Sequence, residues 1–414
     1  MSNIRNIFQL YFQDYLDGQT YRLFWGSIIV YSLGFLSYIS QHVIGNFPLL
    51  LMILGLAGMG VSFVKLVKLN IYNHYLRLIF TIFILWQFFI IARGIQGFNF
   101  EMLLNLLFSP YYFLHYLVPL VVFIPANIFF VKKMFNFFAA LSILLFIVFL
   151  LFTNEMLHTN LNFSEQTIWT LGTGGGFLLM TWGYHKKGIK ILAILTVLLS
   201  LVISTIMARR NIMLTFGNFI GFSLLLTFLN SSYSVKSKLY ILTIVIFTTT
   251  LAYHLFFNYQ EKLFGKISDH LTENTRGVVY EAFVKDMSKK DWVIGKGFLG
   301  KYYCPGAEMD KDYRFIIESG YLQTILKGGI ISLVLFLLIA LPAAFLGIVK
   351  SKNILSKASG TIVILWLIDM FPWGMPAINI RYILVWVCIG ICYSKVIRNL
   401  SEAEIRNSFL LLTK

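Results

Sequence analysis

Charged residues are scarce in this chain, and acidic residues are the scarcest of them. Only 13% of the 414 residues are Asp, Glu, Lys or Arg, with 18 acidic residues against 34 basic ones. There are three cysteines, Cys304, Cys388 and Cys392, which excludes a disulfide framework and gives no convincing metal site. The net charge of +16 is spread over short segments and forms no continuous basic domain, which argues against nucleic acid as a partner.

Hydrophobic residues dominate instead. They make up 58% of the chain, and the mean hydropathy of +0.76 lies outside the range of soluble domains. A helix needs about 20 mainly apolar residues to cross a bilayer. We therefore predict an all-α, polytopic membrane protein with residues 1–414 as one domain and twelve spans. Their approximate cores are 23–43, 47–66, 77–94, 109–131, 134–153, 167–184, 189–207, 211–230, 238–257, 317–347, 358–373 and 379–396.

The distribution of lysine predicts the orientation. With both termini in the cytoplasm, the short cytoplasmic loops hold thirteen basic residues, twelve of them lysine: Lys65, Lys68, Arg77, Lys132, Lys133, Lys186, Lys187, Lys190, Lys236, Lys238, Lys350, Lys352 and Lys357. This satisfies the positive-inside rule. The short outside loops hold only arginine: Arg93, Arg209, Arg210 and Arg381.

Topology alone does not require arginine on the outside. A guanidinium group binds phosphate or carboxylate through two parallel hydrogen bonds and keeps its charge when buried. The outside arginines therefore suggest an anionic ligand. The alternative is that each pairs with a lipid headgroup.

A large outside loop, 257–316, separates spans nine and ten. It contains an amphipathic segment, TRGVVYEAFVKDM, and a glycine-rich one with Gly295, Gly297 and Gly300. We expect those glycines to bring backbone close to a substrate or to a membrane helix, because no Gly-Lys-Ser/Thr follows for a nucleotide. The second cluster, GTGGG at 172–176, is expected to serve close helix packing or a helix break.

Glu318 stands at the outer end of span ten, where a carboxylate is costly unless it is paired or used. It is either a charge that stabilises the positive end of the helix dipole or a catalytic base that faces the arginines. Position and spacing alone do not decide between these.

The order of these features resembles the O-antigen polymerase and ligase superfamily of bacterial membrane glycosyltransferases, and most closely a Wzy-type repeat-unit polymerase. TRGVVYEAF, GKGF and SGYLQTILKGGI carry the resemblance. Ligases of the superfamily show His, then Asn, Ser or Gln, nine residues, Gly, two residues, and Gly, Thr or Tyr. Here Glu318 replaces the histidine, Ser319 and Gly329 fit, and Ser332 does not.

Polymerases of this type carry an arginine separated by ten residues from a glycine, and Arg210 and Gly221 match that spacing. A second copy that would start at Arg276 fails because position 287 is Met.

The resemblance implies inverting, metal-independent transfer of a glycan from a polyprenyl diphosphate to another lipid-linked repeat unit. It places the enzyme in the bacterial inner membrane, with the site on the outer face. We predict Glu318, Arg210 and Arg276 as catalytic residues, because fixed arginines stabilise the charge that grows on the diphosphate. The predicted substrate-binding residues are Arg209, Arg314, Arg381, Arg93, Tyr280 and Tyr321, and Trp292, Tyr302 and Tyr303 are further residues that could stack on sugars.

No cofactor is expected. The expected partners are the lipid-linked donor and acceptor, membrane lipids and a chain-length regulator. Three alternatives stay open. A ligase would transfer the glycan to lipid A core, and a flippase would move it across the membrane. A scaffold would explain the spans but not the arginines.

Overall fold

The computed structural model describes residues 2–40, 45–68, 71, 73–94, 111–229, 275–308 and 311–411. Up to residue 229 the described chain forms the helices α1 (Ser2–Ser40), α2 (Phe47–Leu66), α3 (His74–Gly94), α4 (Ile128–Leu151), α5 (Leu161–Thr167), α6 (Thr173–Met180), α7 (Lys187–Ile206) and α8 (Arg210–Leu229). Short 3-10 or π-helical segments lie between them, at Leu114–Phe123, Glu155–Thr159, Ile168–Gly172 and Trp182–Tyr184.

From residue 275 the described chain forms α9 (Thr275–Asp286), α10 (Lys289–Ile294), β1 (Tyr302–Glu308), β2 (Lys311–Arg314), α11 (Gly320–Ile348), α12 (Ile354–Asp369), α13 (Ile380–Tyr393), α14 (Lys395–Asn399) and α15 (Glu402–Leu411). β1 and β2 form an antiparallel hairpin in which Tyr302 lies opposite Arg314 and Tyr303 opposite Tyr313. This hairpin departs from the all-α prediction. Tyrosine favours strands, and cross-strand aromatic pairs stabilise them.

Seven helices in the described residues are long and apolar enough to cross a membrane, namely α1, α2, α3, α4, α7, α8 and α11. The predicted span at 238–257 and the part of the large loop at 257–274 lie outside the described residues. Predicted spans 358–373 and 379–396 correspond to helices of 16 and 14 residues. The predicted span at 167–184 is built from short helical segments instead of one continuous α-helix.

The predicted helix over 109–131 is wrong. A ten-residue 3-10 helix, Leu114–Phe123, takes its place, followed by an extended Ile124. Pro125 disfavours helical backbone at the residue before it. Asn127 then starts α4, because its side chain accepts a hydrogen bond from Phe130 N at 2.8 Å. Lys132 and Lys133 therefore lie within α4 and not in a loop.

The long helices bury only part of their surface. Leu150, Val64 and Leu85 are 76%, 74% and 64% exposed and face outward. Inside, Trp25 packs against Phe130 and Phe137 with ring centres 5.3 and 4.7 Å apart. Helices with apolar outer faces and aromatic inner faces are compatible with a multi-pass membrane protein.

The GTGGG segment is used for helix packing, as expected. A Cβ on Gly174 would lie 2.6 Å from the Phe138 ring, and one on Gly175 would lie 2.5 Å from Thr196. α6 therefore approaches α4 and α7 more closely than any side chain would allow. The π-helical turn Ile168–Gly172 interrupts the helix immediately before it.

One end of the bundle joins two connections that carry predicted cytoplasmic lysines to the C-terminal segment, and we call it the lysine end. Tyr184 Oη donates to Glu402 Oε2 at 2.8 Å and accepts from Leu355 N at 3.1 Å. Asn353 Nδ2 donates to Ile397 O at 2.7 Å. The connections before α7 and before α12 thus meet the C-terminal segment, as the predicted topology requires.

The opposite end gathers predicted outside loops, and we call it the arginine end. Arg209 and Glu165 join the α7–α8 connection to α5 across 3.4 Å. Gly320 N donates to Met370 O at 2.8 Å, which joins the start of α11 to the end of α12. Since α7 and α11 run from one set of loops to the other, the arginines of the predicted outside loops and the lysines of the predicted cytoplasmic loops lie at opposite ends.

Candidate functional site

α11 is broken near its start, and a loop fills the break. Gly329 has φ 71° and ψ −178°, which removes the carbonyls of residues 326–328 from the helical hydrogen-bond pattern. Lys296 N, Gly297 N and Trp86 Nε1 donate to these three carbonyls at 2.8, 2.9 and 3.0 Å. An unpaired backbone group in an apolar interior is costly, so these donors are required for the break.

Glycine makes this close approach possible. A Cβ on Gly329 would overlap the carbonyl of Val293, and one on Gly295, which has φ 70°, would overlap the backbone of Lys327. Gly94 on α3 faces Phe298 in the same way. The predicted use of the loop glycines in a close backbone approach is thus confirmed, and the partner is a broken membrane helix. We call residues 293–300 the plug.

A polar cavity lies beside the break. Its volume measures about 40 Å³, and it is open on one side. Its walls come mainly from helices α3, α11, α12 and α13 and from the 3-10 helix Leu114–Phe123. The lining residues are Phe83, Gln87, Ile90, His115, Tyr116, Gln323, Thr324, Lys327, Ser332, Phe336, Trp366, Met370, Pro376 and Tyr382.

Lys327 is the one formal charge in that lining, and it is only 4% exposed. Its Nζ donates to Gly300 O at 2.7 Å and to Phe315 O at 3.0 Å, and it lies 3.2 Å from the centre of the Phe315 ring. The ammonium group therefore ties the plug and the residues before Glu318 to α11. The Phe315 ring that contacts Lys327 also stacks on Tyr112, with ring centres 4.3 Å apart.

A buried ion pair lies close by at the arginine end. Arg381 of α13 pairs with Asp369 of α12, and their side chains are 9% and 3% exposed. Thr215 Oγ1 donates to the second carboxylate oxygen of Asp369 at 2.9 Å. The guanidinium lies 4.0 Å from the Trp169 ring centre and 5.2 Å from that of Trp366. The carboxylate, the hydroxyl and the two indole rings therefore fix Arg381 in place.

The second arginine pair is more accessible. Arg209 is 40% exposed on its side chain, whereas its partner Glu165 is 18% exposed. Tyr111 lies near enough to Glu165 and Arg381 to interact electrostatically with both. The two pairs therefore lie near each other at the arginine end of the bundle.

Glu318 lies at the same end of the bundle. It is half-buried and immediately precedes Ser319, whose Oγ donates to Met370 O at 3.4 Å. Met370 lines the cavity and follows Asp369 in sequence. The chain around Glu318 thus adjoins both the cavity and the buried ion pair.

The remaining predicted site residues are dispersed around this end. Arg210 begins α8 and is exposed. Arg93 donates to Ile294 O of the plug at 2.8 Å, and Tyr321 Oη donates to Leu367 O at 2.9 Å. Arg314 ends β2 and is half-buried. Arg276 lies in α9, but its side chain is outside the described ones.

The predicted aromatic residues are used mainly in packing. Tyr302 is fully buried, and its ring centre lies 5.6 Å from that of Phe283. Tyr280 and Trp292 pack against the same small core. Tyr303 stays 44% exposed, so among these tyrosines of the loop it is the one most open to a ligand.

Sequence patterns did not identify Lys327, Asp369 and His115. Each stands inside or beside an apolar run, and a charged or ionisable residue in such a run is by itself a signal of a site. Among the described residues, no group of three His, Cys, Asp or Glu side chains is placed to hold a metal ion.

Comparison of the chain with protein-family models, with curated proteins and with solved structures gives no match. The function of this protein is therefore inferred from its residues and their geometry.

Proposed function

We propose that this protein is a glycosyltransferase that joins polyprenyl-diphosphate-linked repeat units at the outer face of the bacterial inner membrane. One observation carries the proposal: the chain at the half-buried Glu318 contacts, through Ser319, a residue that lines a polar cavity at the end of the bundle that holds the arginines. Such an enzyme needs a carboxylate for the acceptor hydroxyl and cations for the diphosphate in one place.

In the proposed reaction, the hydroxyl of one lipid-linked glycan attacks the anomeric carbon of another from the face opposite the diphosphate. A new carbon–oxygen bond forms, and the bond to the diphosphate breaks with inversion. Glu318 accepts the hydroxyl proton, and the diphosphate leaves with the bonding electrons. No cofactor enters this balance.

The arginines divide into two roles in this proposal. Arg381 is neutralised by Asp369 and held by two indole rings. It therefore shapes the site and offers little net positive charge to the diphosphate. Arg210 and Arg209 are the more exposed cations, and they would stabilise the charge on the leaving diphosphate. A guanidinium can grip two phosphate oxygens at once.

The proposal is tested with purified protein and synthetic polyprenyl-diphosphate repeat units. Wild type should make longer lipid-linked glycans and release polyprenyl diphosphate. Glu318→Gln keeps the side-chain size but removes the base, so elongation should fall by about 10²- to 10⁴-fold while donor binding persists. Normal elongation by this variant would reduce Glu318 to a charge at the helix end.

Arginine geometry is tested in the same assay. Arg210→Lys keeps the charge but loses the planar fork, so we expect a strong fall in elongation with normal insertion. Arg77→Lys is the matched control, because Arg77 is an exposed arginine at the start of α3 and bonds His74 at 2.8 Å. Equal activity of Arg210→Lys and wild type would remove Arg210 from the diphosphate site.

Two other functions are outcomes of this assay. A transporter would move the lipid across a vesicle membrane without lengthening any glycan. A ligase would release polyprenyl diphosphate only when lipid A core is supplied as acceptor. Either result with well-folded wild type would replace the polymerase proposal.

A further inference from the structure

The ammonium group of Lys327 has one more hydrogen than it has oxygen acceptors, and its Nζ also lies 3.2 Å from the centre of the Phe315 ring. An ammonium carries three N–H donors, and Gly300 O and Phe315 O accept two of them. Within the part of the chain that the structure describes, no carboxylate lies within 4.0 Å of Nζ. Burying a charge without a counter-ion is costly, so an anion bound here would be favoured.

Polar groups elsewhere in the cavity also lack hydrogen-bond partners within the described chain. Tyr116 and Trp366 line the cavity and are 6% and 3% exposed. Neither Tyr116 Oη nor Trp366 Nε1 has a hydrogen-bond partner among the described residues. Buried polar groups are nearly always satisfied, so these two atoms are a second, independent sign of a ligand.

The lining specifies the kind of anion. Lys327 supplies a single positive charge and one remaining donor, which match a monoanion. A diphosphate carries more charge and is best gripped by planar arginine forks, which lie elsewhere at this end of the bundle. The aromatic rings of Phe83, Trp366 and Tyr382 and the hydroxyl of Thr324 suit a sugar, which has apolar faces and a polar edge.

We propose that this cavity binds an acidic sugar of the glycan, with the sugar carboxylate accepting a hydrogen bond from Lys327 Nζ. The inference rests on the proposed function, since it names the class of repeat unit that the enzyme takes. It concerns binding alone, so it can fail or hold independently of polymerisation.

The test compares methyl glucuronide with methyl glucoside, which differ in a carboxylate at one carbon. Binding to the purified full-length protein is measured by saturation-transfer NMR and by calorimetry. Methyl glucuronide should bind saturably and at least tenfold more tightly than methyl glucoside, because a charge-assisted hydrogen bond contributes about 10- to 100-fold. Equal binding of the two glycosides, or none by either, overturns the proposal.

Three variants locate the site. Lys327→Met should abolish the preference for methyl glucuronide. Lys301→Met is the matched control, because Lys301 lies near Lys327 but is exposed and outside the cavity lining, and it should keep the preference. Thr324→Ile places a larger side chain in the cavity and reduces its free space without removing the lysine. It therefore tests the site even where Lys327→Met fails to fold. Unchanged binding by folded Thr324→Ile would place the ligand elsewhere.

Competition decides between anions. Inorganic phosphate should displace methyl glucuronide only weakly, and equal competition would mean a phosphate site and overturn the sugar assignment. If wild type elongates glycans but does not prefer methyl glucuronide, the acidic-sugar site is wrong and the proposed polymerase function stands. If wild type prefers methyl glucuronide but does not elongate glycans, the polymerase function is wrong and the binding site stands.

Discussion

Gly329→Ala is the sharpest perturbation of the broken helix. The backbone at this position, φ 71° and ψ −178°, belongs to a region that is essentially restricted to glycine. The new methyl group would also overlap the carbonyl of Val293 in the plug. The substitution therefore strains α11 and displaces the plug together.

The cost follows from these two effects. Holding alanine in this region costs about 1–3 kcal/mol. Moving the plug weakens the bonds from Lys296 N and Gly297 N to the α11 carbonyls, now 2.8 and 2.9 Å long. Each bond contributes about 1 kcal/mol, and each carbonyl left buried and unpaired costs about 1–3 kcal/mol. We expect a total loss of about 3–6 kcal/mol in the free energy of unfolding.

The assay is unfolding by SDS titration in mixed micelles, with Gly217→Ala as the matched control. Gly217 lies in α8, and a Cβ there would meet nothing within 4 Å. The control should be neutral or more stable by up to about 1 kcal/mol, since alanine favours helix over glycine. A loss below 0.5 kcal/mol for Gly329→Ala would refute the account of the break.

The other predictions concern topology, the buried ion pair and Gly221, the glycine of the polymerase spacing that begins at Arg210. In intact cells, an impermeant thiol reagent should label cysteine introduced at Lys285 and not at Lys187, and the reverse result would overturn the orientation. Asp369→Asn should lower the free energy of unfolding by about 3–5 kcal/mol, because it leaves Arg381 buried without its counter-ion. Asp369→Leu combined with Arg381→Met removes both charges, so it should lower the free energy of unfolding far less. Equal losses for the two proteins in SDS titration would contradict this. Gly221→Ala should leave the thermal midpoint and elongation unchanged, since a Cβ there meets nothing within 4 Å, and lost elongation in a folded protein would show that Gly221 is needed for activity.

Long apolar runs were readable from the sequence because each helix must cover about 20 residues with apolar side chains to cross a bilayer. The segments at 47–66 and 189–207 therefore matched α2 and α7 closely. The helix predicted over 109–131 is wrong, because hydropathy does not report a change from α-helix to 3-10 helix. Pro125 and the Asn127 cap were the local signals that mark the true boundary.

The candidate site was predicted in part. The position of Glu318 and the arginines at one end follow from the order of spans and loops, which the sequence carries directly. The partners of those arginines do not follow from it. Arg381 and Asp369 are twelve residues apart on different helices, and their pairing depends on how α12 and α13 pack.

By itself, the sequence determined the apolar helices, the separation of lysine from arginine, and glycine at position 329. These are local properties, since each depends on the residue and its near neighbours. Only the tertiary structure decided that Gly329 breaks α11, that the plug satisfies the freed carbonyls, and that Lys327 enters a cavity. Those outcomes join residues about 30 to 240 positions apart, such as Lys296 with Leu326 and Trp86 with Gly328. Hydrogen bonds and charges in an apolar interior must find partners wherever packing brings them, and packing is a property of the whole bundle.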